Sequence, residues 1–368
     1  MKVDAAVLFG IKEEYQIREI ELDGPRDHEV LVELAASGMC HSDDHAVTGD
    51  LPCPFPTVAG HEGAGVVTEV GRDVTGLKPG DHVILHPVPN CGKCRWCSKG
   101  MAYLCDDGAF GLTGYAPDGT WRRRLDGENV GAYCQLGTFS PLTTVSETQV
   151  VKIDDDIPLH TAALIGCGVT TGFGAATTVG QVKPGDFVVV VGVGGVGSAA
   201  VQGARVAGAS TIVAVDPIEF RREQALGFGA THTFASVEEA FDTVRDLTRG
   251  VMADVTIITV GVFHGDLAPV LALTSKGGRC VLTSITPVHE TTANISLFDL
   301  GMMNKTLVGH IFGCANPRAD FPRLLDLYRS GALLLDEMIT TTYDLSQINE
   351  GVAAMHEGTN VRGVVTYK

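Results

Sequence analysis

Hydrophobic residues follow two different patterns along this chain. In its first part, Glu29–Gly38 (EVLVELAASG) and the stretch GVVTEVG at 65–71 alternate apolar with polar residues. That is the two-residue period of strands with one buried face. Further on the apolar residues run without interruption: FVVVV at 187–191, TIVAV at 211–215, VTIITV at 255–260 and RCVL at 279–282. Unbroken β-branched runs of this length predict strands covered on both sides, as in a doubly wound α/β sheet. The first run turns at Gly192, Gly194 and Gly197 into a small-residue helix, and the second ends at Asp216, 19 residues beyond the third glycine. Strand, glycines, helix, strand and acid in that register form a dinucleotide-binding fingerprint, whereas a glycine-rich packing turn has no need of the acid. The glycines let the backbone approach a pyrophosphate at a helix N-terminus, and the carboxylate takes the adenosine ribose hydroxyls. A carboxylate there repels a 2′-phosphate, so NAD is expected rather than NADP, although Arg221 and Arg222 nearby carry the opposite charge.

Length and charge narrow the picture. The 368 residues suffice for two domains, and 45 glycines suit close-packed turns. A net charge of −17 excludes a footprint for nucleic acid or acidic lipid, and the Arg122, Arg123 and Arg124 cluster reads as a solvated loop. The opening MKVDAAVLFGIKEE lacks the pattern of a secretory signal. The longest apolar stretch, FVVVVGVGGVGSAAV, is 15 residues and interrupted by glycine, so no membrane span is expected. A cytoplasmic location follows as the expectation. In a reducing compartment ten cysteines point to metal binding or catalysis rather than to disulfides.

Four of these cysteines, Cys91, Cys94, Cys97 and Cys105, lie in one run, CGKCRWCSKGMAYLC. Thiolates at this spacing reach one ion from a tight turn, with Gly92 and Gly100 permitting the wrap. A redox pair needs two cysteines, the spacing is not that of a ferredoxin, and the charge disfavours a nucleic-acid zinc module. A structural zinc closed by four sulfurs is the expected reading. Three other residues, Cys40 in GMCHSDDH, His61 in AGHEGAG and Cys167 in LIGCGVTTG, each follow a hydrophobic run within a glycine-bearing segment. Taken singly they read as a buried thiol or a core histidine. Pooled, two thiolates and an imidazole make a three-ligand zinc shell that leaves a fourth position for water or substrate. Glu62 and Asp43 are placed to orient and charge-balance that shell.

The ordered blocks GMCHSDDH, AGHEGAGVV, CGKCRWC, LIGCGVTTG and GVGGVG…VD resemble the zinc-dependent medium-chain alcohol dehydrogenases over essentially the whole chain. The resemblance implies two zinc ions, one on Cys40, His61 and Cys167 and one on Cys91, Cys94, Cys97 and Cys105. It implies NAD(H) held at Gly192, Gly194, Gly195, Val196, Gly197, Asp216 and Arg221, with His41 and Arg362 at the pyrophosphate and Val196 and Ile285 against the nicotinamide. It implies a proton relay from the alcohol through Ser42 and the nicotinamide ribose to His45. It further implies a GroES-like, β-rich catalytic domain over 1–167 and 313–368, carrying the zinc lobe at about 91–105, and a Rossmann cofactor domain over 168–312. A small alcohol or aldehyde is the implied substrate and a homo-oligomer the implied assembly. Within the family, VDPIEFRREQALGFGATHTFAS and FGCANPRADFPRLLDLYRSG look like the actinobacterial nicotinoprotein alcohol dehydrogenases. In that group NAD(H) stays bound and an external acceptor recycles it, nitrosodimethylaniline in the assay and a mycofactocin-like molecule as the suggested natural partner. An ordinary, cofactor-exchanging alcohol dehydrogenase and a thiol-dependent formaldehyde dehydrogenase are the alternatives. In the latter group an adduct-binding arginine falls at about Ala109, so a glutathione-adduct role is not expected.

Overall fold

The computed structural model describes residues 1–110 and 112–367; the side chains at 109 and 110, and with them the expectation at Ala109, lie outside the described residues. Three sheets organise the chain. Lys2–Leu8, Gln16–Leu22, Arg123–Leu125, Glu128–Ala132 and Thr57–Val58 close into a small barrel. Beside it a seven-stranded sheet runs in the order Val150–Ile153, His82–Leu85, Glu62–Val70, Glu29–Gly38, Arg362–Thr366 and Ile339–Tyr343, with Leu142–Ser146 also paired to Glu29–Gly38.

The strand expected at 29–38 forms with those bounds, but its alternation does not survive as one buried and one wet face. Val30, Val32 and Leu34 pack into one apolar cluster while Leu31 packs into another with Val3, Val7 and Ile20. A central strand with both faces covered hides most of its residues, whatever its sequence period. The second expected strand starts earlier than its alternating stretch, at Glu62, so that acid opens the strand and His61 immediately precedes it.

The remaining sheet has six strands, all parallel: His232–Phe234, Thr211–Val215, Phe187–Val191, Ala253–Ile258, Thr274–Leu282 and Thr306–Gly309. Numbered along the chain within this sheet, the order is 3-2-1-4-5-6, the doubly wound order of a Rossmann fold. Ligands in such sheets bind outside the carboxyl ends of the strands where the order reverses. Here that point lies between Val191 and Ile258, directly before Gly192 and Thr259.

After the helix Pro317–Arg329 the chain returns to the seven-stranded sheet, where Arg362–Thr366 runs antiparallel to Glu29–Gly38 with Val364 opposite Gly38. Gly38 is itself opposite Glu62, so three distant segments meet at one end of the sheet. The largest core cluster joins Ala36, Ala64 and Ile84 of this sheet to Val188 and Val190 of the parallel one and to Val201 of the helix Gly195–Val206, through Leu164, Phe173 and Phe321. Phe321 is fully buried there, and truncating such a ring to alanine costs about 3–5 kcal/mol. No single helix among the described residues is long and apolar enough to cross a membrane.

Candidate metal centres and cofactor cleft

The cysteine run folds on itself. The Sγ atoms of Cys91, Cys94, Cys97 and Cys105 all lie within 4.8 Å of one another. Gly92 and Gly100 take left-handed φ values of 73° and 77°, which a side chain disfavours, and so let the loop wrap inward. Backbone N–H groups then point at sulfur: Cys94 donates to Cys91 Sγ at 3.3 Å, Cys97 to Cys94 Sγ at 3.4 Å and Cys91 to Cys105 Sγ at 3.5 Å. Donation from the Cys97 and Asp106 amides pulls the Cys94 thiol down to about 6, so it reaches neutral pH as thiolate. Four sulfurs in a closed set suit a structural zinc and leave it no open side.

The second group is assembled from separate elements. Cys40 caps the helix His41–Thr48, His61 precedes the strand Glu62–Val70, and Cys167 occupies the joint before the helix Gly168–Gly174. Ligand atoms of Cys40, His61, Glu62 and Cys167 lie within 4.8 Å of one another. His61 donates from Nδ1 to Asp43 Oδ1 at 2.8 Å, and Asp43 also accepts from the Gly60 amide at 3.0 Å. The imidazole is thereby held with the Nε2 lone pair toward the cluster, and Nε2 is buried without a hydrogen-bond partner among the described residues. An orphaned imidazole nitrogen beside two thiols is the donor set of a zinc site. A hydrogen bond from Cys167 drives the Cys40 thiol well below its ordinary value, with His61 and Arg362 assisting.

Glu62 belongs to the cluster but is already engaged. It accepts from the Gly168 amide at 2.9 Å and pairs with Arg362. Burial pushes its carboxyl up to about 7 against the pull of that guanidinium. Three ligands therefore face the cleft, while the acid supports them from behind.

From this cluster a cavity of about 840 Å³ runs to the glycine turn, bordered by Ser42, His45, Val196, Asp216, Arg221 and Ile285 among others. Gly192 has φ 85°, and a Cβ there would meet the Val260 amide at 2.8 Å; a Cβ on Gly197 would meet the Gly192 carbonyl oxygen at 1.9 Å. The turn therefore admits only glycine at these places and keeps its backbone open to a ligand. Gly194 caps the helix Gly195–Val206. Asp216 accepts from the amides of Val193 at 2.9 Å and Ile218 at 3.0 Å, so it organises the turn as well as bordering the cavity. Arg221 donates to the Met355 carbonyl at 3.1 Å, while Arg222 is spent on the carbonyls of Asp216 and Pro217. His41 faces Gly261, and burial lowers its pKa, favouring the neutral ring.

Arg362 borders the cavity, its guanidinium pairs with Glu62 and its stem crosses Gly195, where a Cβ would meet Arg362 Cδ at 2.2 Å. A buried carboxylate needs a counter-ion, and Arg362 is placed to serve.

Ser42 Oγ lies 3.7 Å from Cys40 Sγ, and Tyr133 donates to the Ser42 carbonyl. Sequence reasoning did not single out Tyr133, nor Asp50, whose Oδ2 is 3.0 Å from His45 Nδ1. Asp50 had a faint signal, an acid just past the glycine that ends a short helix. Tyr133 had none.

With this geometry in view, the comparisons agree. Residues 26–155 match the alcohol dehydrogenase GroES-like domain and residues 195–330 the zinc-binding dehydrogenase domain. The chain is 48% identical to an NDMA-dependent alcohol dehydrogenase of Amycolatopsis methanolica over 100% of this chain and 99% of that protein. It is also 48% identical to alcohol dehydrogenase B of Mycobacterium tuberculosis, again with 100% and 99% covered. Among solved structures, benzyl alcohol dehydrogenase from Acinetobacter calcoaceticus superposes with TM-score 0.92 at 28% identity, covering 100% of both chains. An alcohol dehydrogenase zinc-binding domain protein from Burkholderia ambifaria gives TM-score 0.94 at 31% identity over 100% and 99%. Family-wide similarity along the entire length joins a site whose donors match: the chain belongs to the zinc-binding medium-chain alcohol dehydrogenase family.

Proposed function

We propose that this protein oxidises alcohols to aldehydes with NAD as the hydride acceptor, carries two zinc ions, and keeps its nucleotide bound while an external acceptor regenerates it. The observation that carries the reading is the continuity of one cleft from the Cys40, His61 and Cys167 cluster to the Gly192–Gly197 turn and Asp216. When bound, zinc supplies a Lewis acid that lowers the pKa of the alcohol, and the nicotinamide supplies the hydride acceptor.

The chain's own residues do the rest. Asp43 holds His61 in the ligating tautomer, and the Glu62–Arg362 pair keeps charge balanced behind the ligands. Ser42 Oγ, beside Cys40, takes the hydroxyl proton at the cluster as it gives up its own, and His45, also lining the cleft, is the base that receives the relayed proton. Asp216 at the mouth of the turn selects NAD over NADP by repelling a 2′-phosphate. Leu51, Pro87, Val88, Leu112 and Phe312 give the cleft apolar walls, which favour an alcohol with an apolar body and exclude water.

Retention of the nucleotide is supported by the 48% identity to an enzyme named for its dependence on NDMA. A homo-oligomer is supported by Leu297, Phe298 and Met302, 62–76% exposed, on a helix beside the edge strand Thr306–Gly309. The test is direct. Purified protein should carry about two zinc ions and one NAD(H) per chain, form little free NADH from benzyl alcohol plus NAD, and turn over when nitrosodimethylaniline is added. Protein that emerges empty of nucleotide and steadily reduces added NAD is an ordinary exchanging dehydrogenase.

A further inference from the structure

His45 lies under the surface, 2% exposed, so its ring has little direct access to bulk water. Its Nδ1 meets Asp50 Oδ2 at 3.0 Å, and that same oxygen accepts from Thr48 Oγ1 at 2.7 Å. The Asp50 side chain is 15% exposed and therefore stands between the buried ring and solvent. Local chain geometry enforces the contact. The helix His41–Thr48 stops at Gly49, whose φ of 82° turns the chain back, and the amides of Gly49 and Leu51 both donate to the His45 carbonyl, at 3.1 and 3.2 Å. The Asp50 carbonyl accepts from the Val288 amide at 3.2 Å, which ties this turn to the cofactor-side loop at 286–290.

We propose that Asp50 is a positioning residue of the proton path: it holds His45 with Nδ1 protonated and Nε2 free to act as base toward the cleft, and it carries the proton from Nδ1 to solvent. This rests on the reading of His45 given above. The Thr48 hydroxyl, followed by His45 and the nearby His289, holds Asp50 below the usual carboxylate range, so it is an anion at neutral pH. The titratable groups bearing on it are His45 from the helix before it and His289 from the loop that bonds to this turn. The proton balance is simple. A proton arriving at Nε2 makes the imidazolium, the Nδ1 proton passes to Asp50 Oδ2, and Asp50 releases it to water. Reduction of an acceptor in the same pocket draws a proton back through the same atoms and restores the starting tautomer.

The experiment compares Asp50→Asn, Asp50→Ala and His45→Gln in full-length, zinc-loaded protein. It follows single-turnover oxidation of benzyl alcohol with bound NAD between pH 5 and 9, together with nitrogen NMR of the labelled histidines. Asp50→Asn should slow turnover by about 10–100-fold. It should also shift the acid limb of the pH–rate profile, because the carboxylate facing His45 Nδ1 is gone. The Nδ1-protonated signal of His45 should weaken in the spectrum. Asp50→Ala should recover part of its rate in formate and none in chloride. If His45→Gln is slow while Asp50→Asn keeps the wild-type rate and profile, Asp50 has no such role and the His45 reading stands. An Asp50→Asn that is slow with an unmoved profile, coupled to an Asp50→Ala that formate does not rescue, reduces Asp50 to a structural residue and also overturns the proposal. An unaffected His45→Gln removes the relay itself, and the inference with it.

Discussion

The two cysteine-based centres are built by opposite strategies. In the lobe, all four donors come from the segment 91–105, Cys91, Cys94 and Cys97 are only partly buried, and backbone amides of the same segment supply the hydrogen bonds to sulfur. In the cleft, Cys40, His61 and Cys167 come from three elements, and their support comes from Asp43, from Glu62 and from Arg362, which is 300 residues away from Glu62. A closed local shell can be completed by one ion and a short loop, so its metal is part of folding. An open shell must remain three-coordinate against a supply of nearby donors, and that requires the surrounding fold to hold the extra acid away. The nearby acid here is Glu62, and it accepts from the Gly168 amide and pairs with Arg362.

Substitutions in the two centres should break the comparison in opposite ways. The largest effect on chemistry is expected for Cys167→Ser: activity falls below detection, zinc drops from about two per chain to about one, and the melting temperature changes little. Metal analysis together with calorimetry checks this, and full activity with one zinc per chain would sink the two-centre account. Cys97→Ser should do the reverse. Losing the closed site should lower the melting temperature by roughly 5–15 °C and expose the segment 91–105 to protease, while the cleft site keeps its metal.

A smaller change sharpens the contrast. Asp43→Asn keeps the size of the side chain but no longer enforces Nδ1–H on His61. Zinc in the cleft should become about 10–100-fold easier to remove in chelator competition, with the lobe zinc unaffected. Equal release from both centres would mean that Asp43 does not orient the imidazole.

The smallest effect concerns the base of the lobe, where His86 precedes the segment that leads to Cys91. Its ring is 1% exposed and packs against Phe312 and Phe321 with centroids 6.3 and 5.8 Å away. Burial lowers its pKa to about 3. A neutral buried histidine whose folded pKa lies below its unfolded value of about 6.5 contributes stability that is present above about pH 6.5 and lost as pH falls toward 3. The loss from this residue alone is at most about 1.4 kcal/mol per pH unit. Denaturation followed between pH 7 and 4 should show that slope, and His86→Leu should flatten it. An identical slope in the variant would assign the acid sensitivity elsewhere.

How much of this was legible in the chain follows the same division. The lobe could be read from the spacing of Cys91, Cys94, Cys97 and Cys105, because ligands close in sequence need only a turn to meet. The glycine turn and Asp216 could be read because strand, turn, helix and strand occupy one continuous segment. The cleft ligands became a group through their resemblance to a family, not through spacing. Alternation at Glu29–Gly38 identified a strand but not its burial on both faces, since that depends on what the rest of the chain lays over it. Asp50 beside His45 and Tyr133 beneath Ser42 left little or no pattern to find.

By itself, then, the sequence determined those features whose parts are neighbours along the chain: the thiolate loop, the parallel strands and the helix opened by glycines. Short segments carry their own geometry, and the closure entropy of a few residues is small. Tertiary structure alone decided that Arg362 would pair with Glu62, and that the part-exposed Asp50 would meet the ring of a buried His45. The first arises because Arg362–Thr366 and Glu62–Val70 flank Glu29–Gly38 in the same sheet. The second arises because the left-handed Gly49 that ends a short helix turns the chain back and brings Asp50 to His45 Nδ1. Each sets a buried group, Glu62 or His45, beside a partner from elsewhere, and burial is a property of the packed whole rather than of any stretch of residues.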